Sequence, residues 1–259
     1  MEVACAVQFE PITDLHAGRL GALWAEYRDR YPRVEQQPPL PAMREQFEAG
    51  PSRGFSFSVE AAFPMPRVWF LNQDGTRLVQ VQRDHFILNW RKLETGEPYP
   101  RYDTLRQTLV EELGRFQRFV EREGLGALRA VQGELTYVNH IDAREADGSR
   151  KPLSRIVRIW AGDQAVGRLP QFEEASFQAH YIMRDGEKPV GRLHITLDPQ
   201  RYIKDSAPLY ALTLIARGVP PTADVSGALA FLDRGHEAIV EGFTAVTTPE
   251  MHATWERQR

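Results

Sequence analysis

The residues best placed to do chemistry stand at the ends and on the faces of apolar runs. Trp90-Arg91-Lys92 closes one such run. With a period of two, Phe86, Leu88 and Trp90 share one face, and Ile87, Asn89 and Arg91 share the other. An indole beside two cations could stack a flat ligand or a base while Arg91 and Lys92 hold a phosphate. The same pattern also describes an aromatic packed at the rim of a core with its charged neighbours in water. A second run places Tyr137 and Asn139 with Leu135 and Ile141, and Glu134, Thr136, Val138 and His140 opposite them. An asparagine among apolar neighbours needs a partner, because leaving it unpaired costs about 1–3 kcal/mol. That partner is a ligand or a local backbone group.

Arg192, His194, Thr196 and Asp198 alternate with Leu193, Ile195 and Leu197. His194 and Asp198 would lie about 13 Å apart on a strand, too far for a dyad. This face is expected to meet solvent unless the sheet curves over a cavity. His236 falls in the stripe Leu229, Leu232, Val240 and Phe243, with Glu237 beside it. It suits a base, a pH-sensitive group or a hydrogen-bonded core histidine. His140 or His194, with Arg91, Arg192 and Arg217 nearby, would allow general acid–base work without a metal.

Other chemistry is missing its signatures. The sequence has no glycine-rich phosphate loop, no G-x-S-x-G, no H-E-x-x-H and no C-x-x-C. Its seven histidines show neither H-x-H nor H-x-x-x-H spacing, so neither a metal nor a cofactor is expected. The single cysteine, Cys5, lies in the apolar run from Val3 to Val7 and reads as a small buried hydrophobe. The paired carboxylates Glu111-Glu112 and Glu173-Glu174 read as solvated.

The elements that must position these residues read as α+β. Val3 to Phe9 predicts a strand, and Thr13 or Asp14 a cap for a helix burying Leu20, Leu23, Trp24, Tyr27 and Tyr31. Residues 33–54 are polar and proline-rich, partly polyproline II, with a short helix expected near Met43 to Phe47. Phe55 to Val59, Arg67 to Asn72, Leu78 to Gln82 and Phe86 to Trp90 read as an antiparallel meander, with Asp74-Gly75 a hairpin turn. A long helix follows, with the stripe Leu105, Leu109, Leu113, Phe116 and Val120 and a stop at Gly124.

Gly133 to Ile141, Phe177 to Met183, Gly191 to Leu197 and Tyr210 to Ala216 then predict strands, and a last long helix carries His236. The second half thus repeats the grammar of the first. Phe70 to Gly75 matches Tyr181 to Gly186, and Arg77 to Val81 matches Arg192 to Thr196. The expectation is antiparallel meander sheets with long helices packed on one face, built by tandem duplication of a meander-plus-helix unit. Its halves would be residues 1–132 and 133–259, either as two units or as one pseudo-duplicated domain.

The 259 residues carry a formal net charge of −3, which does not suit a strongly basic nucleic-acid or membrane-surface protein. Of 32 basic residues only Lys92, Lys151, Lys188 and Lys204 are lysine. Arginine suits anions, although surface arginines are mostly solvated or weakly paired. No apolar stretch approaches the ~18 residues of a membrane span, and the start lacks the pattern of a secretory leader. A cytoplasmic location is expected.

Three stretches, Phe86 to Lys92 (FILNWRK), Glu134 to Ile141 (ELTYVNHI) and Gly235 to Trp255 (GHEAIVEGFTAVTTPEMHATW), carry a resemblance. With the Gln36 to Pro41 segment and the opening strand, they resemble an uncharacterised, sporadically distributed family of bacterial and archaeal proteins of similar length. The sporadic distribution implies cargo of mobile elements, such as a phage-defence or toxin–antitoxin component. No catalytic residues follow from it. The expected function is therefore a non-enzymatic binding or interaction protein, whose partner is another chain or a small ligand. The alternative is a metal-independent nucleic-acid-binding or nucleic-acid-processing factor. Candidate ligand-binding residues are Trp90, Arg91, Lys92, Tyr137, Asn139, His140, His194 and Arg217, and a homodimer is left open.

Overall fold

The computed structural model describes residues 1–259 apart from 42, 48–64, 94–98, 146, 161–171 and 256–259. The described elements are β1 (Glu2–Phe9), α1 (Ala17–Tyr27), β2 (Arg33–Gln37), β3 (Arg67–Leu71), β4 (Arg77–Gln82), β5 (His85–Arg91), α2 (Tyr102–Arg122), β6 (Ala130–Asp142), α3 (Leu153–Ile156), β7 (Phe177–Asp185), β8 (Lys188–Arg201), β9 (Pro208–Gly218), α4 (Val225–Val246) and α5 (Pro249–Thr254). The strands form one sheet in the order β2-β3-β4-β5-β1-β6-β9-β8-β7, and the pairings between them are antiparallel. The α+β, antiparallel reading of the sequence holds. No helix among the described residues is long and apolar enough to cross a membrane.

Local chemistry explains the punctuation. Gly75 and Gly186 adopt positive φ in the two Asp-Gly turns, where a side chain would be strained. Asp74 Oδ1 accepts from the Thr76 amide at 2.9 Å and tightens the first turn. Gly124, at φ 66°, ends α2. Asp224 caps α4 by accepting from Gly227 N at 2.7 Å, and Thr248 caps α5 ahead of Pro249.

Register gives the sheet two unlike faces. Val3, Cys5, Val7 and Phe9 of β1 lie with Phe86, Leu88, Trp90, Leu135 and Tyr137 in the core. Phe116 of α2 packs on Phe86 and Phe9, with ring centroids 5.5 and 5.8 Å apart. Tyr27 of α1 stacks on Phe70, and its hydroxyl donates to the Glu112 carbonyl at 2.7 Å. Phe231 of α4 sits over a row of glycines. Gly133, Gly218 and Gly191 face one another across β6, β9 and β8, and the Phe231 ring fills the space their missing side chains leave.

The other face is polar, yet Gln8, Gln80, Gln82, His85, Asn89 and Gln132 on it are buried. Gln80 accepts from Arg67 and Trp69 and donates to Asn89, which donates to Glu2.

Several expectations need correction. Residues 33–37 are a strand, paired to β3, rather than polyproline II. Residues 43–46 carry no helix, because Gln132 takes up the Met43 carbonyl and the Glu45 amide. The strand expected at Phe55 to Val59 lies outside the described residues. The residue before α1 is His16, which makes no side-chain cap. On α4 the buried face runs through Ala228, Phe231, Leu232, Gly235, Ile239 and Val246, while Val240 is 39% exposed. A stripe read from large apolar residues overlooks Gly235 and Gly242, where the helix comes closest to Ala216 and Leu193. Glu112 is not solvated but buried, bonded to Arg30 at 2.9 Å and Tyr31 at 3.3 Å. Burial pushes its carboxyl up against the pull of Arg30 and Arg115.

Candidate functional site

A groove forms where the start of α2 meets β6 and α4. Tyr102, the first residue of α2, lies parallel to the His236 imidazole, with centroids 4.0 Å and planes 7° apart. Its hydroxyl donates to Asp233 at 2.9 Å, and Arg106 grips both oxygens of that carboxylate at 2.6 and 2.9 Å. These bonds pin the two helices at one level. On the groove floor the Tyr99 hydroxyl donates to the Tyr137 hydroxyl at 3.0 Å, and the latter lies 3.3 Å from His236 Nδ1. The Tyr137 hydroxyl and His236 Nδ1 are thus within hydrogen-bonding reach, with donor and acceptor set by the imidazole tautomer.

Met1, Ile239, Val240 and Phe243 supply apolar wall, Arg101 and Asp103 stand at the mouth, and the cavity measures about 400 Å³. A concave, mainly apolar space with a few convergent polar groups is the usual form of a small-ligand site.

The electrostatics keep the imidazole and hydroxyls of the groove neutral. Burial holds His236 below the ordinary histidine range, although Asp103, Asp233 and Glu237 pull the other way. Burial also raises the Tyr99, Tyr102 and Tyr137 hydroxyls. At neutral pH the tyrosines and His236 therefore offer hydroxyls and an uncharged imidazole for hydrogen bonding, while burial holds the Met1 amine at the groove below its ordinary range. Cys5 lies buried in the core, its thiol pushed up to about 12 by burial.

The structure sorts the residues singled out from sequence. Tyr137, Asn139 and His236 do come together here. Asn139 Nδ2 makes a long 3.5 Å contact with the Leu212 carbonyl. Trp90 is 0% exposed, so it cannot stack a ligand. It instead meets Tyr99 edge-on at 5.4 Å and supports the groove from behind. Arg91 and Lys92 are absent from the groove. Arg91 donates to the Gly75 carbonyl at 2.8 Å, and Lys92 is exposed beyond β5. His140 is exposed on the polar face of β6.

His194 and Arg217 meet Arg192 on the polar face, around a residue that sequence reasoning missed. Glu45 Oε1 lies 2.5 Å from His194 Nε2 and 3.8 Å from Arg217 Nη1, and Oε2 takes Arg192. Arg217 also pairs with Glu134, and His180 meets His194 edge-on. Burial pushes the Glu45 carboxyl up, but the bonds from His194 and Arg192 outweigh that and hold it below the ordinary range. The face expected to be open to solvent is thus covered at this point. Nothing in the periodicity pointed to Glu45, since it stands in a segment with no repeat, 149 residues from His194. Arg91 does not join this set. The strands β1, β6 and β9 separate β5 from β8, about 19 Å at ~4.8 Å per strand.

A wider hollow of about 1080 Å³ lies near Phe47, Lys188, Pro220 and Phe231. Asp185, Lys188 and Arg234 line it, and Arg234 is held by the Arg184 carbonyl at 2.5 Å and by Asp185 at 3.9 Å. Among the described residues no group of three or more histidine, cysteine or carboxylate side chains could hold a metal. No family model matches the chain, and neither a curated protein nor a solved structure does.

Proposed function

We propose that this is a non-enzymatic binding protein that holds a compact, uncharged ligand, apolar with one hydrogen-bonding head, in the groove between α2, β6 and α4. The observation that carries the reading is the hydrogen-bonded chain Tyr99–Tyr137–His236 opening into an apolar cavity of about 400 Å³. Such a floor can orient one polar group while the walls exclude water. The tyrosines and the imidazole of the floor are held neutral, which suits hydrogen bonding to an uncharged head.

The architecture extends this reading. We infer a tandem duplication, with α2 and α4 side by side on the apolar face and the groove at the junction of the halves. In support, β5 closes the first meander onto β1 and β9 closes the second onto β6, and β1 pairs antiparallel with β6. Membership of the sporadically distributed prokaryotic family, a cytoplasmic location and a role in a mobile-element or defence-type system belong to the same proposal.

The test is native mass spectrometry of the protein expressed with its genomic neighbours, alongside Val240→Trp. That substitution fills the groove from a position already part-exposed. The expected result is a small-molecule adduct on the wild type, lost on denaturation and missing from Val240→Trp. An adduct that persists in Val240→Trp, or a bare wild-type mass together with no thermal stabilisation across a broad metabolite set, would refute the groove as the site.

A further inference from the structure

The polar face is covered in part by the stretch of chain that follows β2. Leu40, Met43, Glu45, Gln46 and Phe47 lie across it like a strap. Gln82 binds Leu40 by both edges of its amide, accepting from the backbone N–H at 2.9 Å and donating to the carbonyl at 3.1 Å. Gln132 does the same further along, accepting from Glu45 N at 2.9 Å and donating to the Met43 carbonyl at 2.6 Å. Arg192 donates to the Gln46 carbonyl at 2.9 Å, with its guanidinium 5.0 Å from the Phe47 ring. At that end the Glu45 side chain, 5% exposed, sits among His194, Arg192 and Arg217.

These contacts read an extended chain. Gln82 on β4 and Arg192 on β8 are five strand spacings apart, about 24 Å. Six residues at full stretch cover about 20 Å, so only an extended segment, met by side chains at each end, can bridge them. The side-chain amides do here what an adjoining strand would do, and the cationic cluster supplies the sequence preference.

Two features distinguish the strap from a structural element. Leu40, Met43 and Phe47 contribute nothing to the hydrophobic core, and Met43 is 52% exposed. A cavity of about 120 Å³ also remains between the strap and Ala6, Gln8, His85, Ile87 and Gln132. That is room for about four waters by liquid volume, whereas native interiors are close-packed. The strap is held by polar groups that any chain with the same backbone path and an acidic residue could satisfy, and it leaves space for a bulkier side chain.

We propose that this face is a binding site for an extended acidic segment of a partner protein, and that Leu40, Met43 and Glu45 to Phe47 occupy it in cis until the partner displaces them. Glu45 stands in for the partner's carboxylate. Gln82 and Gln132 recognise the backbone, and Arg192, His194 and Arg217 recognise the acid. The site is on the opposite face from the groove, so either reading can fail without the other.

The experiment uses the full-length Glu45→Gln protein, in which the clamp loses its anion, and a fluorescein-labelled peptide with the sequence of residues 38–47. The expected result is binding to Glu45→Gln at least tenfold tighter than to the wild type, and at least tenfold weaker binding of the same peptide carrying glutamine for its glutamate. Equal binding to both proteins, equal binding of both peptides, or no binding at millimolar peptide would overturn the proposal. Should Glu45→Gln not fold, hydrogen exchange on the wild type decides. Leu40 and Glu45 amides that exchange by local opening, well ahead of β6, support a displaceable strap, and amides that exchange only with global unfolding overturn it.

Discussion

Gly133→Ala tests the account of how α4 is seated. A β-carbon at Gly133 would lie 2.7 Å from Phe231 Cδ1, against the ~3.5–4.0 Å of an ordinary carbon contact. Overpacking of this kind costs about 1–3 kcal/mol, and alanine in place of a strand glycine returns about 0.5–1 kcal/mol. The net loss is about 1–2 kcal/mol, or a Tm about 2–8 °C lower for a chain of this size. The obstacle is the tip of a side chain, so Phe231→Leu should relieve it, and the double variant should be more stable than the sum of the two single losses by about 1 kcal/mol or more. Gly218→Ala differs in kind. There the new carbon would lie 2.2 Å from the Val190 carbonyl oxygen and 2.5 Å from Gly191 Cα, besides 2.6 Å from Phe231. Backbone cannot step aside when a ring is trimmed, so Phe231→Leu should leave Gly218→Ala unrescued. Urea titrations of the five variants and the wild type, compared by midpoint at constant m, measure both couplings. Equal rescue at both glycines, or a Gly133→Ala protein as stable as the wild type, would show that the glycine row does not set the helix position.

Stability should fall as the medium turns acidic, and His236 should contribute. Its folded pKa is lowered by burial, so its contribution is complete above the unfolded value near ~6.5 and is lost as pH falls through the folded value. Denaturation at pH 8 to 5 should therefore show the gap between wild type and His236→Phe narrowing in the wild type's disfavour, whereas parallel curves would deny that the imidazole is buried neutral. Tyr27→Phe removes the 2.7 Å bond to the Glu112 carbonyl from a fully buried hydroxyl. It should cost about 1–2 kcal/mol, and a change below a few tenths in urea would mean that the bond does not join α1 to α2. Trp90→Phe should be mild for so buried a residue, because Trp90 Nε1 has no hydrogen-bond partner to lose. A loss as large as the ~3–5 kcal/mol of a tryptophan-to-alanine change would reveal an unseen bond.

The secondary elements were legible because their signals are local. Period-two alternation places Tyr137 and Asn139 opposite His140 on β6, and Arg192 and His194 opposite Leu193 on β8, and the register agrees. The Asp-Gly turns and the α2 stripe with its closing glycine need only neighbouring residues to specify them. Burial was less legible. Trp90 fitted either a ligand stack or a core rim in sequence and Glu112 read as solvated, and only the packing of Tyr99 and of Arg30 with Tyr31 put them inside. The seat of α4 escaped a search for large apolar residues, because close approach is set there by what glycines lack.

The candidate sites lie at the far end of this scale. His236 and Tyr137 are 99 residues apart, and Glu45 and His194 are 149 apart. Spacing along a chain carries direction only within one element, over a few turns or one strand. Which two elements meet, and at what level, depends on strand order, on the glycine row and on the Asp233 tie. Those are properties of the folded sheet, and they turned scattered tyrosines, histidines and arginines into a groove on one side and a cationic cluster around Glu45 on the other.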